Sequence, residues 1–411
     1  MATVYWVGDS AATAQITVGT VSTAVDGDTY NIILTDEEGD TVTITKEAAS
    51  NTVTTIADSL VADWNANGNA AVARVTASNS AGAITLTADT AGIPFSVSFT
   101  RSGGSSAWTS QSTTTANAGP NDFATASNWS AGAVPTASEG IVIPGNATAS
   151  ILYSLNQSSI EFDKFIVENG YSGRLGGTDG GYLRFTVASG AGNFKFSGSG
   201  KAWIDLATSY VAPVINRTAS ASIGSYGLSL KGTALPEIYL NRGSLGFGIE
   251  PDDTTSEVDT LHVGYVTSEA GDSTCTIGEE TSDTGGGTID INMYGGSVIA
   301  KSSVGTLNQY SSAATYRQNV GTWTTAIING TAYPNAASTY VTTTLGPNSR
   351  LLNTEMTNSK TFTTVTASDG CSIQDPNGKI TWTNGIDFAA QFMNDCSLNF
   401  GYNKVVTPTD S

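Results

Sequence analysis

Alternation of apolar and polar residues dominates the first hundred positions. AQITVGTV, TYNIILTD and DTVTITKE each switch every second residue, the pattern of strands with one face buried. The link TDEEGDT between the last two predicts a hairpin turn, with Gly39 as its permissive backbone position. One segment has a different period. Val53, Ile56, Ala57, Leu60, Val61 and Trp64 fall on a single helix face, which predicts a helix over about 52–65. Asn51 suits its N-cap and Gly68 its stop. AAVARVTAS, GAITLTAD and AGIPFSVSFT continue as strands. Residues 12–118 therefore predict a compact α+β unit, closed by the Ser/Thr/Gly-rich stretch RSGGSSAWTSQSTTTANAGPND, which reads as a linker.

Beyond Pro120 the helical period disappears. Short β runs recur instead, among them GIVIP, KFIVEN, LRFTVA, EIYLN, TLHVGY and TIDINM, punctuated by Gly, Asn and Ser. Such spacing suits a sandwich, a barrel or a solenoid. Gly271, Gly296, Gly321 and Gly346 lie 25 positions apart. Gly305-Thr306 then aligns with Gly330-Thr331, and AATY (313–316) with STYV (338–341). A period of about 25 fits one coil of a parallel β-helix built from three strands and three turns. Roughly eleven coils at about 4.8 Å each would make a rod about 50 Å long. Its two ends need caps. At the C-terminus, residues 384–406 suit closure of the last coil or a subunit contact. The predicted fold is mainly β: a parallel β-helix, or solenoid, with a small α+β domain inserted near the N-terminus.

Composition narrows the partners. Only 13% of the residues are charged, so Ser, Thr, Asn and Gly must supply the polar surface, as on exposed strand faces and turns. A net charge of −19 argues against nucleic acid as a direct ligand, because phosphate recognition needs a basic patch. No apolar run approaches the roughly 20 residues of a membrane span. The start MATVYWVGDS has neither the basic nor the apolar region of a signal peptide, which predicts a soluble chain that is not exported by the general secretory route. Cys275, Cys371 and Cys396 are odd in number and lack metal-site spacing, so they read as buried or incidental thiols.

The stretch NWSAGAVPTASEGIVIP (128–144) places a large aromatic plate before a rigid approach and a short apolar strand. Trp129 suits the covering of an open coil end. Val134-Pro135 forces an extended chain, and Ile141, Val142 and Ile143 suit the first rung. The stretch resembles the start of many bacterial and phage β-solenoid proteins, in which a W-x-G strand leads into an N-W-x-x-G-x-V-P motif. Here YWVGDSA (5–11) carries the first half, and residues 119–144 carry the second. The resemblance implies a cap strand over 1–11, an inserted domain over 12–118 and a β-helix with C-terminal cap over 119–411. It also implies a cap made by Tyr5, Trp6, Trp129 and Pro135. TADTAGIPFSVSFT (87–100) resembles small β domains of phage virion proteins. Together these resemblances imply a phage structural component of capsid-decoration or fibre type, located in the virion and trimeric. Its partners would be other copies of itself, the major capsid protein or other virion proteins, and host-surface glycans.

Candidate chemistry is sparse. His262, the only histidine, sits alone in TLHVGYV and reads as structural. Asp252, Asp253, Glu257 and Asp259 form an acidic cluster, and Glu279 and Glu280 follow Cys275. An acidic loop in water explains these better than a converging catalytic pair. DEEGD (36–40) lacks EF-hand spacing, and GGTDGGY (176–182) lacks the Lys-Ser/Thr of a phosphate loop. GEETSDTGGG (278–287) reads as a surface loop. Trp203, Trp323 and Trp382 suit either a sugar platform or core packing. No catalytic residue, cofactor or metal is assigned. The alternatives to a non-enzymatic virion protein are a tail fibre or tailspike that binds or cleaves host polysaccharide, and a bacterial surface adhesin.

Overall fold

The chain opens with β1 (Thr3–Tyr5) and then enters a separate unit. Its strands are β2 (Ile16–Thr23), β3 (Thr29–Thr35), β4 (Thr41–Glu47), β5 (Val75–Ser80), β6 (Ala83–Ala88), β7 (Ser96–Ser102) and β8 (Ala107–Thr115). They form two antiparallel sheets, ordered β5-β6-β2-β8 and β4-β3-β7. A helix, α1 (Val53–Asn65), buries Ile56, Ala57, Leu60 and Trp64 in a core that includes Tyr30, Ile32, Ile84 and Leu86. This core is distinct from that of the rest of the chain. The computed structural model describes residues 2–401 except 36–40, 105–106, 177–180, 208–209, 218–226, 250–255, 266–272, 280, 283–286, 354–357 and 389–395. The predicted DEEGD turn lies outside the described residues.

Two local expectations need correction. The N-cap of α1 is Thr52, not Asn51, whose Oδ1 instead accepts the Asp26 amide at 2.7 Å. The helix ends at Ala66, before Gly68, where the Asn67 amide folds back to the Trp64 carbonyl. The supposed linker contains β8, paired antiparallel with β2. Its Thr-rich sequence is a good solvated strand face. Trp108 anchors it, with its ring 4.9 Å from Phe99 and 5.8 Å from Tyr30.

The chain re-emerges beside its point of departure, where Thr13 and Ala118 form an antiparallel bridge. From β9 (Gly140–Ile143) onward it winds as a parallel β-solenoid. Each coil gives one strand to a front sheet and one to a back sheet. The front sheet starts with β1, β9, Lys164–Val167 and Gly190–Phe196, and the back sheet with Asn156–Phe162, Leu183–Val187 and Ala202–Leu206. Among the described residues the stack from β9 runs twelve coils to Ile386–Phe388 and Ser397–Asn399. At about 4.8 Å per coil it is roughly 50 Å long. The strand Leu235–Phe247 serves both sheets, turning its corner near Gly243, whose φ is +97°. A Cβ there would lie 2.6 Å from the Arg217 Cβ, so the corner requires glycine. Arg217 is buried inside the same corner and donates to the carbonyls of Gly198, Ser199 and Gly200.

Coils contribute two strands rather than three, and their lengths differ. Tyr316 pairs with Ala332, sixteen positions on, while Val263 pairs with Met293, thirty positions on. The glycines spaced by 25 are therefore not equivalent. Gly296 precedes a back strand, Gly321 precedes a front strand, and Gly346 follows a front strand. Gly271 lies outside the described residues. Gly305 lies on a front strand while Gly330 lies in the bend before a back strand, and AATY and STYV lead into opposite sheets. The repeat holds in space, through strand register, while the turns vary freely.

Inner columns make the core. On the back sheet Ala202, Leu228, Leu245, Cys275, Val298, Tyr316, Ala332, Leu351, Ile373 and Leu398 follow one another in register. Burying each large apolar member contributes about 1.5–3 kcal/mol. Toward the C-terminal end, Trp323, Tyr340, Phe362, Trp382 and Phe400 form an aromatic ladder with centroids 4.2–5.9 Å apart.

The N-terminal end is closed by aromatic rings. Trp6 and Trp129 bridge, with centroids 5.0 Å apart, and Phe123 lies 4.8 Å from Trp129. The Trp129 Nε1 donates to the Phe123 carbonyl at 2.8 Å, and the Trp6 Nε1 donates to the Ala149 carbonyl at 3.0 Å. Asn128, wholly buried, donates to the Gly119 and Asp122 carbonyls and accepts the Ser10 amide. Gly8 has φ +68°, and a Cβ there would meet the Ala149 Cβ at 2.3 Å. Pro135 is buried, and Val134 packs on the core. Tyr5 differs from its cap companions. Its ring is 45% exposed, and only its backbone bonds to Ser130. Replacing Trp129 by Ala is expected to cost about 3–5 kcal/mol, read as a lower guanidinium midpoint. Tyr5→Ala should change the unfolding free energy by less than about 0.5 kcal/mol.

Candidate functional site

The outer surface of the front sheet carries a cluster of aromatic rings. Tyr239, His262, Asn292 and Asn308 occupy one outward column in successive coils. Tyr265, Tyr294 and Tyr310 stand just past the ends of their strands, beside that column. The Tyr239 and His262 rings stack at 4.6 Å with planes 5° apart, and Tyr294 stacks on Tyr310 at 5.0 Å. Tyr265 meets Tyr239 and Tyr294 edge-on, at 5.3 and 5.1 Å. Parallel register alone brings these residues together.

Polar groups line the same patch. The Tyr239 hydroxyl donates to Glu237 Oε2 at 2.6 Å. Glu237 Oε1 stands 3.6 Å from His262 Nε2, and neither His262 ring nitrogen makes a hydrogen bond. Asn292 Oδ1 accepts from the Asn308 side chain at 3.0 Å and from the Tyr310 hydroxyl at 3.3 Å. His262 is 9% exposed, while Tyr265 and Tyr310 are half-exposed. The imidazole thus has a carboxylate neighbour from the preceding coil, which spacing along the chain conceals. The patch can offer aromatic faces and edges, amides and one carboxylate to a polar ligand that also carries apolar C–H surface.

Of the acidic cluster, only Glu257 and Asp259 lie among the described residues. Glu257 is committed to a turn, where its Oε2 accepts the Ala234 amide at 3.3 Å and its own amide donates to the Gly232 carbonyl. Asp259 lies in the strand Val258–Val263, half-buried. Asp252, Asp253 and Glu280 lie outside the described residues, and Glu279 is exposed. Among the described residues, no three His, Cys, Asp or Glu side chains come together as a metal site. The GGTDGGY stretch is described only at its ends, and within GEETSDTGGG Thr281 is buried and Ser282 bridges Glu257.

Nor do the three tryptophans form a platform. Trp323 is fully buried, with its Nε1 donating to Thr343, and Trp382 belongs to the inner aromatic ladder. Trp203 faces outward on the back sheet, with the Arg174 guanidinium 4.6 Å over its ring. A cavity of about 740 Å³ opens between the inserted unit and the first coils, lined by Leu34, Ile93, Phe95, Tyr153, Leu155 and Arg184 among others. Arg184 is already paired with Asp205 at 3.0 Å.

Further along the front sheet the outer surface changes character. Thr306, Thr325, Thr342 and Thr364 form one in-register column, and Asn308, Ile327, Thr344 and Thr366 form the next. Over these four coils neither column contains a charge, and the next member of the second, after Thr366, is Asp387. Ile327 and Val341 are each more than two-fifths exposed on this face. It is a flat, β-branched, neutral surface on a chain of net charge −19.

No protein family, no curated protein and no solved structure matches the chain. No helix among the described residues is long and apolar enough to cross a membrane.

The Tyr239 phenol is pushed up to about 12, first by its hydrogen bond to Glu237, then by burial and by the Glu237 charge. A raised folded-state value means the folded chain holds this proton more tightly than the unfolded one. The resulting stabilisation is present below the ordinary tyrosine value of about 10 and is lost as pH rises towards 12. The stability difference between wild type and Tyr239→Phe should therefore be constant up to about pH 10 and shrink above it, in denaturant titrations across pH. A difference that persists unchanged to pH 12 would contradict the assignment.

Proposed function

We propose that the protein is a non-enzymatic structural component of a phage virion, a capsid decoration protein or head fibre that works as a homotrimer. The observation that carries this reading is the neutral Thr/Ile face of the front sheet. A chain with 36 acidic and 17 basic residues repels its own copies across most surfaces. A flat face without charge is where identical chains can approach, and threefold closure gives every copy the same partner. The two-sheet solenoid supplies a stiff body for that contact, and the inserted domain is a separate unit available for display. The major capsid protein, or another virion protein, is the expected anchor.

The aromatic patch favours a second reading, a tail fibre or tailspike that engages host polysaccharide. Sugar C–H faces pack on tyrosine rings, and sugar hydroxyls suit Asn292, Asn308 and Glu237.

Light scattering separates these ideas. The purified chain should have the mass of a trimer and co-sediment with capsids at fixed stoichiometry. Ile327→Arg should give a folded monomer, because it buries a charge in each contact. A wild-type monomer that ignores capsids would contradict the first reading. Loss of polysaccharide binding in Tyr265→Ala and Tyr310→Ala, with wild type binding, would establish the second.

A further inference from the structure

Cys371 and Cys396 occupy equivalent places in the last two described coils. Their neighbours Ser372 and Ser397 are paired in register, and the Ser397 amide donates to the Cys371 carbonyl at 3.0 Å. The two Sγ atoms are 3.8 Å apart. Adjacent parallel strands hold their Cα atoms about 4.8 Å apart, inside the range of about 4.4–6.8 Å that a disulfide spans. Rotation about the Cα–Cβ bonds is then enough to bring the sulfurs to bonding distance. The third cysteine has a different setting. Cys275 lies in the inner column, with Leu245 and Val298 as its register neighbours, and burial raises its thiol far above the ordinary range.

We propose that Cys371 and Cys396 form a disulfide that fastens the last described coil to the one before it. An end coil has a neighbour on one side only, so it is the first to fray. The bond closes a loop of 25 positions across that edge.

The chemistry needs a disulfide oxidant, such as oxidised glutathione. Cys396 is the more accessible thiol and reacts first. Its thiolate attacks one glutathione sulfur, forming a mixed disulfide and expelling the other as thiolate. Cys371 then gives up its proton, and its sulfur attacks Cys396 Sγ. The protein S–S bond forms and the second glutathione thiolate leaves. Two protein thiols are oxidised and one glutathione disulfide is reduced to two thiols. Burial raises the Cys371 thiol above its ordinary range, so the second step is slow at neutral pH and accelerates with alkali. A reducing cytosol keeps the pair open, and an oxidising exterior closes it.

The test uses the full-length folded chain, reduced and then exposed to oxidised glutathione. Trypsin cleavage after Lys360, Lys379 and Lys404 puts Cys371 in peptide 361–379 and Cys396 in peptide 380–404. Without reductant these peptides should appear joined, with the Cys275 peptide free. Amide exchange across Ser397–Asn399 should slow several-fold in the oxidised chain, and Cys396→Ala should abolish both effects. Peptides that stay separate after prolonged exposure, or Cys396 joined to Cys275 or to a second copy, would overturn the proposal.

Discussion

In-register parallel pairing between successive coils is the constraint on which the rest of the structure depends. It satisfies the backbone of each interior coil through its two neighbours. It also stacks each side chain on its counterpart one coil away. Inner columns are then mostly apolar and complementary in bulk, as where the large Tyr316 is followed by the small Ala332. Outer columns are free to vary, and the surface features arise there. The aromatic patch, the neutral threonine columns and the cysteine pair are each a consequence of register.

The same constraint explains where the chain spends its aromatic residues. Stacking leaves unpaired strand edges at both ends. At the N-terminal end β1 adds one extra strand, and Trp6, Trp129 and Phe123 cover the opening. At the other end Trp382 and Phe400 extend the inner ladder into the last described coil. The inserted domain enters and leaves at a single bridged neck, Thr13 with Ala118, beside the cap. That placement lets a separately cored unit interrupt the cap without breaking the stack.

What was legible in the sequence follows from the same physics. Helix α1 was clear because its apolar positions keep a helical period. The start motif was clear because its parts have fixed tasks: Asn128 clasps carbonyls, Trp129 plates the end, and Gly8 and Gly132 adopt positive φ. The coil length was not legible. Turns differ in length, so the spacing between equivalent residues ranges from fifteen to thirty, and abundant glycines offered a false period. β8 was hidden because a solvated, Thr-rich strand resembles a linker in composition. The outer patch was hidden most deeply. Glu237 and His262 meet only because Tyr239 pairs with His262, a fact of register that no local window contains.

Amide hydrogen exchange along the whole stack tests this account most directly. It predicts one continuous protected ladder from Ile141 through Ile373, falling off only at Ser397–Asn399. Protected blocks separated by a fast-exchanging coil in the middle, for example between Leu261 and Leu307, would contradict it.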